Sequence, residues 1–125
     1  MRPWHFWFAV WIGMVVTLIA GPMVVDADEA IKHSFFIAGP SFTGIIDEDG
    51  REAWNAGRPA ARDGYVLPNG NVLIAWSDEV REFTRDKQTV FHYRKSADNS
   101  EIGTAERLDN GRTLITELGK KPRLL

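Results

Sequence analysis

Short apolar runs alternate with polar, turn-forming segments from residue 34 to the end of the chain. The runs are rich in Val, Ile, Phe, Trp and Thr, with Gly, Pro, Asn and Asp between them, a pattern typical of β-strands joined by tight turns. The predicted strands are residues 34–38, 42–47, 51–54, 64–67, 72–76, 80–84, 89–93, 104–108 and 113–117, with a last one starting at 122. Because no helical period of comparable length occurs, we predict an all-β fold.

The strands belong to a unit that is repeated along the chain. Residues 67–74, Leu-Pro-Asn-Gly-Asn-Val-Leu-Ile, recur 41 positions later as residues 108–115, Leu-Asp-Asn-Gly-Arg-Thr-Leu-Ile. A second alignment, at an offset of 37, sets Asp49 on Asp86 and Trp54 on Phe91. A unit of about 40 residues with four antiparallel strands is typical of one β-propeller blade.

We therefore predict an incomplete β-propeller of about two to three four-stranded blades. It comprises a partial blade at residues 34–55, a complete blade at 61–93 and a partial blade at 102–125, with the charged stretch 94–101 as a link. Propellers close with roughly 6 to 8 blades, so we expect this chain to be the amino-terminal piece of a longer one. The first unit would then lack its innermost strand.

The first 27 residues differ in composition from the rest. They carry one basic residue, Arg2, near the start, an apolar run at 6–19, Gly21-Pro22, and small residues before a cleavage position after Ala27. This layout predicts a signal peptide at residues 1–27 and a secreted or periplasmic protein, residues 28–125 forming the propeller fragment. The alternative is an uncleaved helical anchor, because residues 6–25 are all uncharged and just long enough to span a bilayer. On either interpretation, only this segment contacts the membrane.

Composition excludes several classes of function. The net charge of −2 over 125 residues gives no basic excess, so no nucleic-acid partner is expected. The chain contains no Cys, which excludes disulfides and thiolate chemistry. The acidic stretch 47–50 does not have the spacing of an EF-hand loop, and we expect no metal site and no evident cofactor.

The motif Asp-x-Asp-Gly-x-x-x-Trp at residues 47–54, followed by the turn and strand at 67–74, resembles the secreted bacterial β-propellers with PQQ-like repeats. The resemblance extends from residue 34 to the end. It implies the architecture more than an activity, and of the functions found with such propellers we favour an exported, non-catalytic binding or scaffolding module of the cell envelope. Its partner would be an unknown small molecule, glycan or protein at the central channel.

Two enzyme classes remain as alternatives, so whether the protein is an enzyme stays open. A PQQ-dependent quinoprotein dehydrogenase would need a calcium site and a catalytic carboxylate. Arylsulfotransferase-like propellers, which the chain also resembles around residues 67–71, rely on a histidine nucleophile and tend to place histidine just before this turn. Here those positions are Ala61, Arg62 and Asp63, while His33 and His92 lie elsewhere.

Candidate ligand contacts are expected on the innermost strands, residues 61–66 and 102–107, because these strands line the channel of a propeller. At the offset of 41, Asp63 is equivalent to Thr104, Tyr65 to Glu106 and Val66 to Arg107. Differences at equivalent positions are expected of a ligand site and also of neutral drift. The candidate ligand-binding residues are Arg62, Asp63, Tyr65 and Glu106.

The aromatic residues at the ends of the outer strands are interpreted as structural. Trp54 and Phe91 occupy equivalent positions at the 37-residue offset, and repetition favours packing between neighbouring sheets over ligand binding. We expect both side chains to be buried. Trp76 is likewise expected to serve packing, although the position 41 residues later is Glu117.

Overall fold

The computed structural model describes residues 32–125, so the predicted signal peptide lies outside the described residues. Within that range the chain forms strands and no helix, which confirms the all-β prediction for this part. The strands are β1 (Phe35–Ala38), β2 (Thr43–Ile46), β3 (Glu52–Asn55), β4 (Asp63–Val66), β5 (Val72–Ala75), β6 (Glu79–Phe83), β7 (Thr89–Arg94), β8 (Asn99–Arg107), β9 (Thr113–Gly119) and β10 (Arg123–Leu124). No helix between residues 32 and 125 could cross a membrane.

The ten strands make three antiparallel sheets, each a meander of neighbouring strands. The first sheet is β1-β2-β3, the middle sheet is β4-β5-β6-β7, and the third sheet is β8-β9-β10. Consecutive strands pair because each connection is a short turn, as hairpin topology requires. The three sheets do not close into a barrel or ring.

The two Asn-Gly turns have the same hydrogen bonding. Gly70 N–H donates to the Leu67 carbonyl at 2.9 Å, and Gly111 N–H donates to the Leu108 carbonyl at 2.9 Å. Both glycines have positive φ, 85° and 81°, a backbone conformation that glycine adopts without steric cost. The shared sequence therefore folds into the same turn twice.

Strand registers follow the sequence offsets across the sheets. In the first sheet Phe35 pairs with Ile46, and 37 residues later Val72 pairs with Phe83. The bulge between Ile45 and Ile46 recurs between Glu82 and Phe83. In the same way, the pair Tyr65–Leu73 recurs 41 residues later as Glu106–Leu114. The first sheet thus corresponds to β5-β6-β7, while β8 and β9 correspond to β4 and β5.

Residues 94–101 were predicted to form a link between strands, and this prediction is wrong at both ends of the segment. Strand β7 runs through Arg94, and β8 begins at Asn99. The long β8 forms because Asn99 pairs with Gly119 in β9, and register shifts accommodate its length. The Asn99 side chain strengthens this start by donating to the Lys121 carbonyl at 2.8 Å.

The middle sheet is covered on both faces by the other two. Alternate residues of β5 supply the two cores, because successive side chains of a strand point to opposite faces. Ile74 belongs to an apolar cluster with Ile45 and Trp54 of the first sheet. Leu73 belongs to a second cluster with Ile102 and Ile115 of the third sheet. The core is therefore two inter-sheet layers.

Trp54 and Phe91 differ in burial, which corrects the expectation that both are buried. Trp54 is 6% exposed, and its ring centroid lies 6.0 Å from that of Phe83. Phe91 is half-buried and faces a groove of about 680 Å³ between the middle and third sheets. Its ring is covered by the guanidinium of Arg107, 5.8 Å from the ring centroid, rather than by a second aromatic ring.

Candidate functional site

The site is built on the first strands of the middle and third sheets. Strands β4 and β8 lie against each other, and β1 lies against β4 on its other side. Strand β4 forms hydrogen bonds within its sheet only to β5, and β8 only to β9. Polar side chains from these two strands therefore meet along one edge of the stacked sheets, which we call the first-strand rim.

Two of the four predicted residues connect the sheets at this rim. The guanidinium of Arg62 pairs with the carboxylate of Glu101. Asp63 accepts a hydrogen bond from the Thr104 hydroxyl and another from the Gly64 N–H at 2.9 Å. Asp63 and Thr104 are the residues that the 41-residue offset makes equivalent, so equivalent positions of adjacent sheets are in direct contact.

Tyr65 also links the sheets, whereas Glu106 does not. The Tyr65 hydroxyl accepts a hydrogen bond from the Arg107 N–H. Burial raises the pKa of Tyr65; this hydrogen bond lowers it, and the charges of Glu106 and Asp63 raise it further, so the phenol stays protonated. Glu106 is exposed and forms no ion pair within residues 32–125.

The rim carries an excess of carboxylates. Asp63, Glu101 and Glu106 contribute three negative charges, and Arg62 contributes one positive charge. The guanidinium of the adjacent Arg107 is turned away from the rim, toward the buried Glu82. Carboxylates accept hydrogen bonds and do not donate them, so Glu106, which has no partner among the described residues, suits a ligand that supplies donors.

Sequence reasoning missed three buried carboxylates, Glu79, Glu82 and Glu117. Glu79 accepts hydrogen bonds from Arg58 at 2.6 Å, Arg81 at 2.9 Å and His92 at 2.8 Å. Burial by itself raises the pKa of Glu79, but the hydrogen bonds from Arg81 and His92 and the charges of Arg81 and Arg58 lower it more, so the group is ionised. His92 is therefore engaged on the outer strands, away from the first-strand rim.

Glu117 lies at the position that Trp76 occupies in the middle sheet. Its carboxylate accepts from the Ser96 N–H at 2.8 Å, the Asn99 amide at 2.6 Å and the Arg123 Nε at 3.0 Å, and also from the Tyr93 hydroxyl. Burial raises the pKa of Glu117, but these donors lower it to about 2. The only signal in the sequence was the break in the repeat, where an acid replaces an aromatic residue.

These carboxylates are structural groups rather than an open site. Each one is saturated by donors from neighbouring strands, and each is at most 4% exposed. No group of three or more His, Asp or Glu side chains within residues 32–125 could hold a metal ion. The first-strand rim therefore remains the best candidate for contacts with a ligand.

Comparison with known proteins bears on the fold alone. No family model matches the chain, and no curated protein matches it. The chain is similar in structure to a protein of unknown function from Bacteroides caccae, with a TM-score of 0.61 and 21% sequence identity. The match covers 72% of this chain and 35% of the other, so this chain spans about a third of that protein's length. The likeness shows that a fold of this kind occurs among solved structures.

Proposed function

We propose that this chain is an exported, non-catalytic binding module of the cell envelope, built from β-propeller repeats of the PQQ-like kind, with its ligand at the first-strand rim. The observation that carries the proposal is a contrast between scaffold and rim. Turns, registers and a bulge repeat from sheet to sheet, whereas the rim positions change in chemistry from Asp63 and Tyr65 to Thr104 and Glu106.

The stacking of the sheets supports a propeller architecture. The middle sheet has four antiparallel strands, which is the composition of one blade. The first strands β4 and β8 lie side by side, as the innermost strands of adjacent blades do. The flanking sheets repeat parts of the middle sheet in register, which is expected if all three are blades of one series.

The chemistry of the rim favours a ligand rich in hydrogen-bond donors, such as a glycan. Glu106 is exposed and unpaired within the described residues, and the half-buried Tyr65 of β4 reaches the backbone of Arg107, the residue that follows Glu106 on β8. A carboxylate that accepts from hydroxyl groups, close to an aromatic side chain, is a combination suited to binding a sugar. A polyamine would satisfy the carboxylates equally and serves as the charged comparison.

The test measures binding of neutral oligosaccharides and of spermidine to the full chain after export. Glu106→Gln removes one charge from the rim without removing a contact between the sheets. We expect it to raise the Kd for the bound saccharide at least 10-fold while leaving the melting temperature unchanged. Glu48→Gln, at the exposed β2–β3 turn, is the matched control and should leave the Kd unchanged.

Three results would contradict the proposal. They are the absence of saccharide binding up to millimolar concentration, equal effects of the two variants, and retention of the protein in the cytoplasm. Binding of spermidine alone would replace the glycan by a cationic ligand. Mass analysis of the exported protein tests the predicted cleavage after Ala27.

A further inference from the structure

The third sheet has an apolar face that no other part of residues 32–125 covers. Ile115 and Glu117 of β9 point toward the middle sheet and are buried, so Leu114 and Leu118 point the other way. Leu118 is 44% exposed, and Leu124 of β10, which lies on the same side, is 64% exposed. We call this the trailing face.

The trailing face corresponds to a surface that is already used inside the molecule. Leu114 is equivalent to Leu73, and Leu124 pairs with Thr116 as Val80 pairs with Ala75. Leu73 and Val80 are fully buried where the middle sheet packs on the third sheet. The trailing face thus repeats the middle sheet's half of an interface, and residues 32–125 do not supply its partner half.

The first sheet exposes the complementary half. Phe36 packs toward the middle sheet, so Phe35 and Ile37 of β1 point away from it, and Phe35 is 52% exposed. At the 37-residue offset these residues correspond to Val72 and Ile74, which are fully buried against the first sheet. We call this outward surface the leading face.

We propose that two copies of this chain associate head to tail, with the trailing face of one packed on the leading face of the other. This contact would continue the two inter-sheet interfaces of the molecule, with Leu114 of one copy meeting Ile37 of the next as Leu73 and Ile115 meet within one chain. A contact between two trailing faces has no such precedent here. Exposed apolar patches of this kind mark protein interaction sites, and a contact between two different faces is heterologous, so it can extend to rings or longer arrays. Glu106 pairs with Leu114 and therefore lies on the trailing face, so a packed copy would also cover the carboxylate that is proposed to meet the ligand.

The test uses the oligomeric state of the full chain purified after export, measured by sedimentation velocity. Leu114→Arg blocks the trailing face, and Ile37→Arg blocks the leading face. Val90→Arg places the same charge on an exposed apolar position of the middle sheet and is the matched control. We expect the unmodified chain and the control to contain two or more copies, and each blocked variant to be monomeric.

Mixing the two blocked variants distinguishes the head-to-tail contact from a symmetric contact and from a monomer. Each keeps one intact face, so an equimolar mixture should give a heterodimer and nothing larger, which also shows that both variants are folded. Dissociation by Leu114→Arg but not by Ile37→Arg would indicate a symmetric contact and overturn the head-to-tail arrangement. A monomeric unmodified chain at 100-fold the concentration used for the mixture, or a mixture that stays monomeric, would overturn it as well.

Discussion

Replacing Trp54 by Ala should destabilise the protein much more than replacing Phe91 by Ala, although the two residues are equivalent in the repeat. Trp54 is almost fully buried between the first and middle sheets. Its Nε1–H donates to the Arg85 carbonyl at 3.1 Å, and its ring packs on Phe83. Phe91 is only partly buried, and the guanidinium of Arg107 lies over its ring.

The magnitudes follow from this difference in burial. Removing a buried aromatic side chain costs about 3 to 5 kcal/mol, and we expect Trp54→Ala to lie in that range. Phe91→Ala removes roughly half as much buried surface and a cation–π contact worth about 0.5 to 1 kcal/mol, so we expect about 2 kcal/mol. Since a domain of this size is stabilised by about 5 to 15 kcal/mol, the first change alone takes a large part of the total.

Urea unfolding of the full chain, followed by far-UV circular dichroism, measures both losses on the same scale. Trp54→Phe keeps a ring against Phe83 and removes the hydrogen bond to Arg85, so it should cost about 1 kcal/mol beyond the lost ring volume. Equal losses for the two Ala variants would refute the reasoning, because they would mean that position in the repeat, rather than burial, sets the contribution. An unchanged midpoint for Trp54→Ala would refute the packing of the first two sheets.

Two further predictions concern the buried acid and the close approach of the sheets. Burial raises the pKa of Glu117, but hydrogen bonds led by the one from Arg123 lower it to about 2 from 4.5. The ionised carboxylate therefore stabilises the fold fully above about pH 4.5, and this contribution is lost as the pH falls toward 2. Glu117→Gln should make the urea midpoint fall less steeply over this range. If the unmodified chain and the variant lose stability in parallel below pH 4.5, the assignment is wrong. A Cβ at Gly64 would lie 2.8 Å from ring atoms of Phe36 and 2.9 Å from the Leu73 carbonyl oxygen, so Gly64→Ala should cost about 1 to 3 kcal/mol in the same assay. An unchanged midpoint for that variant would contradict the contact between the first two sheets.

The strands and turns were predictable because hairpin structure is encoded locally. The Asn-Gly sequences fix positive φ at Gly70 and Gly111, and the apolar runs on either side fix which strands pair. The 37-residue alignment of Trp54 with Phe91 also holds in the structure, where their partners Ile45 and Glu82 are equivalent and a bulge follows each.

The buried carboxylates were not predictable because their burial depends on donors from distant parts of the chain. Glu79 is held by Arg58, 21 residues earlier, and Glu117 by Tyr93, 24 residues earlier. Nothing local to an acidic residue in a strand indicates such partners, and charged residues are usually exposed. The partial exposure of Phe91 was not predicted for a related reason, because it depends on which side chains of the third sheet reach β7.

The candidate rim was predicted in part. The offset correctly marked Asp63 and Thr104 as equivalent, but it gave no reason to expect a hydrogen bond between them. That bond exists because β4 and β8 lie against each other. The spacing of residues along the sequence does not indicate how close two strands are. Three of the four predicted residues consequently tie the sheets together, and Glu106 is the one left free to meet a ligand.

One position illustrates how a repeated backbone supports different interfaces. The offsets align Gly39 of the first sheet, Trp76 of the middle sheet and Glu117 of the third. Trp76 packs between the first two sheets, its Nε1–H donating to the Pro59 carbonyl at 3.0 Å, whereas Glu117 requires donors from both the middle and third sheets. A buried carboxylate left without those donors is strongly destabilising, so Glu117 favours the observed packing of the third sheet on the middle sheet. Gly39 brings no buried charge to the leading face, and a second copy can therefore pack there without supplying matched donors at this position.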